Sequence, residues 1–231
     1  MKKINIAIDG FSGCGKSTLA RDLSNEIGYR FIDTGALYRA ITLLILNAGE
    51  IDRSTVMEVI SKNPELNFHP ETNHMLINGV DKESEIRSAR IAYGVSAVAA
   101  IPEVRAHLFE IQNGFVQSKG VVMEGRDIGS VIMPNAELKL FISARTDVRV
   151  QRRVLQLKSM GQEATAKEVL KNLSERDEKD MTRASAPLKL VSDAIVIDNS
   201  DLSLQEQIKC VLAIYFPIVD SENILSGLTR G

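Results

Sequence analysis

The sequence predicts an α/β fold with three layers, in which helices cover a central parallel sheet. The first observation is the continuous apolar run INIAI at residues 4–8, which is typical of a strand buried on both faces. The second is the helical stretch KSTLARDLSNEIG, which ends at Gly28 and leads into the short strand YRFIDT. A further helix, from Gly35 to about Asn47, is the third. This alternation of strands and helices indicates βαβ units and therefore a parallel sheet.

The pattern changes between about residues 50 and 86, where we expect an insertion on the parallel core. STVMEVISKNP predicts a short helix, and LNFHPET and HMLINGVDK predict short strands with turns at Asn73 and at Asn78-Gly79. Hairpins of this kind do not belong to a βαβ alternation. Two helices follow, in SARIAYGVSAVAA and in PEVRAHLFEIQNGFV, and Pro102 opens the second.

The last part of the chain returns to the parallel core. GVVMEGRDIG and LKLFISA predict buried strands, and the first carries a polar cluster at its carboxyl end. A highly charged helical region, broken at Gly161, is expected from residue 146 to 183. DAIVIDNSDLSLQEQIKCVLAIYF predicts a strand, a turn and a closing helix, and we expect a loosely attached extension from Pro217 onward.

Composition excludes several classes of function. The formal net charge is −2, which disfavours a protein that binds nucleic acid through overall positive charge. The three histidines lack metal-site spacing, and the two cysteines, Cys14 and Cys210, lie far apart, which fits a reducing compartment. AITLLILNAG is about half of the ~20 residues that a membrane helix needs. We therefore expect a cytoplasmic protein without membrane or nucleic-acid partners. Because no coiled-coil pattern or exposed apolar stripe demands assembly, we expect a monomer.

GFSGCGKST fits the phosphate-binding pattern G-x-x-x-x-G-K-[ST] and lies between a predicted strand and a predicted helix. Its glycines let backbone N–H groups turn toward phosphate oxygens, Lys16 can reach the terminal phosphates, and the Ser17 hydroxyl can bind Mg²⁺. This context predicts binding of a nucleoside triphosphate with Mg²⁺. The residues predicted to bind this co-substrate are Gly10, Phe11, Ser12, Gly13, Cys14, Gly15, Lys16, Ser17 and Thr18.

Two polar clusters follow other strands, and they predict a second binding pocket. One is formed by Asp33, Thr34, Tyr38 and Arg39, and the other by the run Glu124–Asp127. Because ligands collect at the carboxyl ends of parallel strands, we expect both clusters to face the same crevice as Lys16. A hydrolase needs one phosphate site and a water molecule, whereas a kinase needs a pocket for its acceptor. The alternative for each cluster is helix capping by Asp33 or Thr34 and a surface arginine.

Two charged helical segments indicate a lid. In SERDEKDMTRASAPL, the spacing places Arg176, Asp180 and Arg183 on one helical face. RVQRRVLQ carries further arginines, and the glycine in KSMGQEAT separates the two segments. We expect residues 152–176 to form a mobile lid that closes on phosphates and excludes water. The alternative is a solvated face with intrahelical salt bridges. The arginines of the first segment are Arg149, Arg152 and Arg153.

The motifs GFSGCGKST, DTGALYR, EGRDIGSVIMPNA and ERDEKDMTRASAPL together resemble those of the bacterial cytidylate kinases, which are P-loop nucleoside monophosphate kinases. The resemblance extends to about residue 216. It implies one P-loop NTPase-type kinase domain over residues 1–231, with a monophosphate-binding insert at 35–100 and the lid at 152–176. It also implies transfer of the γ-phosphoryl group from ATP to CMP or dCMP with Mg²⁺.

The resemblance also implies individual roles. Thr34 and Tyr38 line the nucleoside pocket, and Arg176 with Asp180 holds the sugar. The CMP phosphate is held by Arg39, Arg126 and Arg183. The cytosine is recognised by Ser96, Arg105 and Asp127. The catalytic set comprises Lys16, Arg126, Arg152, Arg153 and Arg183.

Two residues depart from the motifs of the family. The family usually has a smaller residue at Cys14, and an aspartate where this chain has Glu124, whose carboxylate reaches further.

Two alternative functions remain open. The first is another P-loop kinase with a small acceptor, which the base-reading set Ser96, Arg105 and Asp127 disfavours. The second is a regulatory nucleotide-binding switch, and the absence of an NKxD motif weakens its GTPase form.

Overall fold

The computed structural model describes residues 2–159 and 161–228. Their order along the chain confirms the predicted alternation of strands and helices. The elements are β1 (Asn5–Gly10), α1 (Lys16–Ile27), β2 (Arg30–Asp33), α2 (Thr34–Ala48), α3 (Arg53–Ser61), β3 (Leu66–Phe68), β4 (Met75–Ile77), β5 (Val80–Asp81), α4 (Glu83–Ile86), α5 (Ala89–Val98), α6 (Pro102–Phe115), β6 (Val121–Glu124), β7 (Leu138–Ser143), α7 (Thr146–Ser159), α8 (Ala166–Thr182), β8 (Ile195–Asp198) and α9 (Leu204–Leu228).

The described residues fall into two compact units. The first comprises those of Met1–Phe31, Ser118–Thr182 and Ala186–Gly231, and the second comprises Ile32–Gln117 and Arg183–Ser185. The predicted insert at 35–100 falls within the range of the second unit. Its boundaries as a monophosphate-binding insert, and those of the lid, stay predictions.

A five-stranded sheet with the order β2-β6-β1-β7-β8 forms the centre of the α/β fold. Strand β1 pairs in parallel with both β6 and β7, and β7 pairs in parallel with β8. Every residue of β1 is buried, as expected for an apolar strand at the centre of a parallel sheet. The prediction of a central parallel sheet with flanking helices is confirmed.

Helices α1 and α9 build the apolar core of the first unit together with the sheet. Leu19 and Leu23 of α1 lie in one cluster with Ile8 of β1 and with Val211 and Tyr215 of α9. The Tyr215 hydroxyl donates to the Tyr29 hydroxyl at 3.0 Å. This packing fixes α1 behind the loop that precedes it.

The prediction of a loosely attached extension from Pro217 is wrong for residues 217–220. Helix α9 continues through Pro217 to Leu228, and Val219 is buried in the core. The physical reason is the spacing of four between Val211, Tyr215 and Val219, which keeps one apolar face against the core across the proline. Burial of this face outweighs the hydrogen bond that proline removes.

The second unit contains an antiparallel sheet of β3, β4 and β5, which confirms the predicted hairpins. Asn78 and Gly79 form the turn between β4 and β5 with φ values of 50° and 78°, as a two-residue hairpin turn requires. Helix α2 packs against α3, α4, α5 and α6. The sequence did not predict the short helix α4 or the π-helical turn Ile128–Ile132 of the first unit.

Within the described residues, no helix is both long enough and apolar enough to cross a membrane.

Candidate active site

The glycine-rich loop joins β1 to α1, as the phosphate-binding motif requires. Gly10 has a φ of 142°, and a Cβ atom there would lie 2.0 Å from the carbonyl oxygen of Ile142 in β7. Gly15 has a φ of 87° at the start of α1. Neither position accommodates another residue without strain, because one lacks space and both lie at positive φ. The Cys14 side chain is buried, and its Sγ lies 3.0 Å from the Phe11 carbonyl oxygen.

Lys16 is the cation of this loop, and it is 5% exposed. Its Nζ donates to the carbonyl oxygen of Phe11 at 2.6 Å. Burial, followed by the positive charge of Arg126, lowers the pKa of Lys16 below its ordinary value. A buried ammonium group bonded to a neutral carbonyl keeps its charge available for an anion, which suits a phosphate oxygen.

Ser17 and Glu124 bring two side-chain oxygen atoms together behind the loop. The Ser17 hydroxyl donates to Glu124 Oε1 at 2.5 Å. Glu124 is the last residue of β6 and lies beside Ile8 of β1, so the parallel pairing brings its carboxylate to α1. A hydroxyl and a carboxylate are the hard oxygen ligands that Mg²⁺ prefers, and the longer glutamate side chain still reaches Ser17.

Arg126 is held in place from three sides. Its Nε donates to Asp180 of α8 at 2.8 Å, and its two terminal nitrogens lie 3.0 Å from the Gly125 carbonyl oxygen and 3.5 Å from Ser12 Oγ. Burial alone lowers the pKa of Arg126, but the charges of Asp180 and Glu124 outweigh burial and raise it. The guanidinium therefore stays charged and has a fixed orientation.

Asp9 is a buried carboxylate directly before the glycine-rich loop, and it is 5% exposed. It accepts hydrogen bonds from the backbone N–H groups of Ile128 at 2.9 Å and Gly129 at 2.8 Å. Burial raises the pKa of Asp9 to about 6, although these two hydrogen bonds oppose the rise. Asp9 thus anchors the segment that carries Arg126 and the buried side chain of Asp127.

The arginines of α7 have different partners. Arg152 donates two hydrogen bonds to Asn199, one to Oδ1 at 2.8 Å and one to the backbone carbonyl oxygen at 2.9 Å. The fully buried Asn199 in turn donates to the Cys14 carbonyl oxygen at 2.8 Å, so it links Arg152 to the loop. Arg153 donates to Gln156 of its own helix at 2.7 Å, and burial lowers its pKa.

The prediction that Arg176, Asp180 and Arg183 share one helical face is wrong for Arg183. Helix α8 ends at Thr182, and Arg183 falls with the second unit. The carbonyl oxygen of Asp180 accepts from the backbone N–H of Leu188 at 2.8 Å, which closes the turn after the helix. Pro187 keeps the helix from continuing through this turn, because it disfavours helical conformation at Ala186, whose φ is 48°, and cannot donate a backbone hydrogen bond.

In the second unit, Asp33 caps α2, as the alternative interpretation of that cluster stated. It accepts from the backbone N–H of Ala36 at 3.1 Å and from Arg87 at 2.8 Å. Burial alone raises the pKa of Asp33, but Arg87 and the helix hydrogen bond hold it below its ordinary value. Arg87 also donates to Glu83 at 2.7 Å, so α4 is tied to the start of α2.

Residues of this unit that are predicted to bind the nucleoside or its base lie on helices that pack together. Tyr38 is on α2, Ser96 on α5 and Arg105 on α6, and α2 packs against both other helices. The Arg105 guanidinium lies 5.5 Å from the centroid of the Tyr38 ring, within the range of a cation–π interaction. Thr34 is buried at the first position of α2, and Arg39 donates to the Ile86 carbonyl oxygen at 3.4 Å. Whether both predicted clusters face one crevice stays a prediction.

Sequence comparison assigns this arrangement to a family. The sequence profile described as Cytidylate kinase matches residues 6–216. The chain belongs to the cytidylate kinase family. The resemblance found in the four motifs is therefore confirmed.

Curated cytidylate kinases match this chain over almost their whole length. The protein of Flavobacterium psychrophilum is 47% identical over 220 residues, which cover 92% of this chain and 97% of that protein. The protein of Bacteroides fragilis is 44% identical over 223 residues, which cover 93% of this chain and 97% of that protein. The protein of Caldicellulosiruptor bescii is 41% identical over 225 residues, which cover 96% of this chain and 100% of that protein.

Solved structures give more distant matches. A shikimate kinase from Bacteroides thetaiotaomicron has a TM-score of 0.49 at 13% identity and covers 93% of this chain and 99% of its own. A gluconokinase from Sinorhizobium meliloti 1021 has a TM-score of 0.48 at 15% identity and covers 97% of this chain and 98% of its own.

Three residues that contact the site of this cytidylate kinase family member were not predicted from its sequence: Asp9, Asp177 and Asn199. For Asp9 the sequence does offer an indication, because an acidic residue lies near the carboxyl end of an apolar strand, immediately before Gly10. Asp177 lies in a charged helix and Asn199 in a turn after β8, where such residues are ordinary. Only their contacts with the loop distinguish them, and these join positions more than 160 residues apart.

Proposed function

We propose that this protein transfers the γ-phosphoryl group of ATP to CMP or dCMP and releases ADP with CDP or dCDP. The observation that carries the proposal is the buried Lys16 within a phosphate-binding loop, in a chain of the cytidylate kinase family. The curated relatives named cytidylate kinase, aligned along nearly the whole chain, support the acceptor.

The loop Gly10–Thr18 is assigned to the ATP phosphates. Lys16 neutralises charge on the terminal phosphates, and its desolvated ammonium group acts more strongly there than it does in water. Ser17 and Glu124 would hold a Mg²⁺ ion, since their hydroxyl and carboxylate oxygens lie side by side next to the loop and are of the hard type that Mg²⁺ prefers. The ion bound with ATP would neutralise phosphate oxygens during transfer.

The acceptor residues keep the roles that the family resemblance implies. Ser96, Arg105 and Asp127 are assigned to cytosine, and Thr34 with Tyr38 to the nucleoside pocket. The CMP phosphate is assigned to Arg39, Arg126 and Arg183, and the sugar to Arg176 and Asp180. Support for Arg126 comes from its fixed guanidinium, and support for Asp127 from the burial of its carboxylate.

Of the two lid arginines, Arg153 is our candidate for contact with the transferring group. Arg152 is held by two hydrogen bonds to Asn199, which would have to break before it could reach a phosphate. Arg153 bonds to the uncharged Gln156 of its own helix, a contact that exchanges easily for a stronger charged one.

Phosphoryl transfer at such a site relies on position and charge. The chain needs to align the acceptor phosphate with the γ-phosphoryl group, neutralise the oxygens and exclude water, and it needs no covalent nucleophile. Lys16 and Arg126 supply fixed positive charge, which costs no reorganisation during the reaction. The cytoplasmic location and the monomeric state stay predictions.

A coupled assay of ADP release across acceptors tests the proposal. With ATP and Mg²⁺, we expect rapid ADP release with CMP and dCMP, and slow release with UMP, AMP, GMP, shikimate or gluconate. Rapid release with another acceptor would identify a different small-acceptor kinase. Slow ADP release that no acceptor stimulates would favour the regulatory switch and refute the proposal.

A further inference from the structure

A pair of buried charges on α7 and α8 holds the two peptide groups on either side of Ser12 in the phosphate loop. Asp177 of α8 accepts from the backbone N–H of Ser12 through Oδ1 at 2.9 Å. Arg149 of α7 donates to the Ser12 carbonyl oxygen at 3.1 Å and also bonds to Asp177 Oδ2. The two side chains are 8% and 10% exposed, respectively, so water competes little for these bonds.

The same helices pack directly on the residues beside Ser12. The Arg149 guanidinium lies 5.4 Å from the centroid of the Phe11 ring. A Cβ atom added to Gly13 would lie 3.3 Å from Leu173 Cδ2 and 3.7 Å from Arg149 Cβ. Helices α7 and α8 therefore pack closely against the loop at Phe11 and Gly13.

Ser12 needs such support because the loop's own backbone supplies little. It lies after β1 and before α1, so neither element's regular hydrogen bonds fix its peptide groups. Gly10 and Gly13 on either side have positive φ values of 142° and 75°, and glycine is the residue with the greatest conformational freedom in the unfolded chain and in loops. External hydrogen bonds to both peptide groups of Ser12 restrict this freedom before a ligand arrives.

We infer that Asp177 and Arg149 are positioning residues for ATP, which orient the peptide groups on either side of Ser12 and thereby hold the phosphate loop in its binding conformation. The inference rests on the proposed ATP binding at this loop. Because the two residues come from α7 and α8, the helices of the predicted lid also determine the conformation of the loop. Because their charges cancel, the pair adds no net charge opposing the phosphates, and the ammonium of Lys16 remains available.

Replacement of Asp177 tests the inference through ATP affinity. In Asp177→Ala the Ser12 N–H loses its acceptor, and Arg149 is left buried without its carboxylate. Loss of a hydrogen bond to a charged group predicts about a tenfold or greater rise in the Kd and the KM for ATP. The KM for CMP should change by less than about threefold, since the loop is assigned to ATP. Asp177→Asn keeps an acceptor oxygen for Ser12, so its Kd should lie between wild type and Asp177→Ala.

Glu178→Gln is the matched control, because it removes a charge from the next residue of α8, which is exposed. Calorimetric titration with Mg-ATP in the absence of acceptor gives the Kd, and thermal melting gives stability. A purely structural role would lower the melting temperature while the folded protein kept the wild-type Kd for ATP. That result, in Asp177→Ala, overturns the inference.

Arg149→Lys covers the case in which Asp177→Ala fails to fold. The lysine keeps a cation beside Asp177, but its shorter reach loses the bond to the Ser12 carbonyl oxygen. We expect about a threefold to tenfold rise in the Kd for ATP, and wild-type affinity in both Arg149→Lys and Asp177→Asn overturns the inference. If the wild-type protein itself fails to bind ATP, the proposed function fails instead, so the two failures are distinguishable.

Discussion

Replacement of Asp9 by asparagine gives a prediction whose size follows from burial. The pKa of this carboxyl group rises from its ordinary 3.8 to about 6 in the folded protein. Since one pKa unit corresponds to 1.36 kcal/mol, ionised Asp9 costs the folded state about 3 kcal/mol at neutral pH. The folded protein binds this proton more tightly than the unfolded chain does. The stabilisation from protonation is therefore complete below pH 3.8 and is lost as the pH rises through about 6.

Asp9→Asn cannot ionise, so the difference in unfolding free energy between wild type and this variant has two parts. One part depends on pH, because only the wild-type carboxyl group titrates, and the other is constant. Its carbonyl oxygen can accept from either Ile128 or Gly129, while its amide group faces the other N–H as a second donor. The constant loss should be about 1–3 kcal/mol. Between pH 7.5 and pH 4.5, the wild-type protein should gain about 2 kcal/mol of unfolding free energy relative to Asp9→Asn.

Urea unfolding at pH 4.5, 6.0 and 7.5 at constant ionic strength measures this difference. Glu178→Gln is the control, since it removes the charge of an exposed carboxylate in the same way. The carboxyl ¹³C signal that disappears in Asp9→Asn should titrate with a midpoint near 6. Parallel pH curves for wild type and Asp9→Asn, together with a midpoint below about 4.5, would refute the argument.

Two further predictions concern the reaction. Lys16→Ala should lower kcat by roughly 10²–10³ in the ADP-release assay without unfolding the protein, because fixed charge at the transferring phosphates is lost, and near-normal turnover would remove Lys16 from the mechanism. Asp127→Asn should bring the CMP to UMP ratio of kcat/KM toward unity, since each base contact discriminates by about 1–3 kcal/mol and an amide can donate to the uracil O4. If Asp127 only orients Arg126, both substrates should lose activity in proportion and the ratio should hold.

Much of the fold could be predicted because its signals are local. The apolar run in β1 reports burial on both faces, and the Asn78-Gly79 pair reports the hairpin turn through its tolerance of positive φ. Predictions failed where tertiary packing opposed a local signal. Pro217 is a strong stop signal in isolation, but the buried face through Val219 continues the helix beyond it.

The candidate site likewise has a part that could be predicted from local sequence and a part that depends on distant contacts. The phosphate loop could be predicted as a unit, because its chemistry is contained in nine consecutive residues from Gly10 to Thr18. The pairing of Arg126 with Asp180 could not, since these residues are 54 positions apart and periodicity indicates a buried face without naming the partner. The same holds for Asp9, whose partners are backbone N–H groups about 120 residues away.

The distribution of charge explains how the loop proposed to bind phosphate tolerates buried carboxylates around it. Asp9 is committed to two backbone N–H groups, Glu124 to the Ser17 hydroxyl and Asp177 to Arg149. Lys16 instead donates to a carbonyl oxygen, and burial lowers its pKa despite the nearby charges of Glu124 and Asp9. An arriving phosphate therefore exchanges a neutral partner of Lys16 for a charged one. Because that exchange breaks no ion pair, the attraction between ammonium and phosphate contributes to binding without the loss of a competing salt bridge.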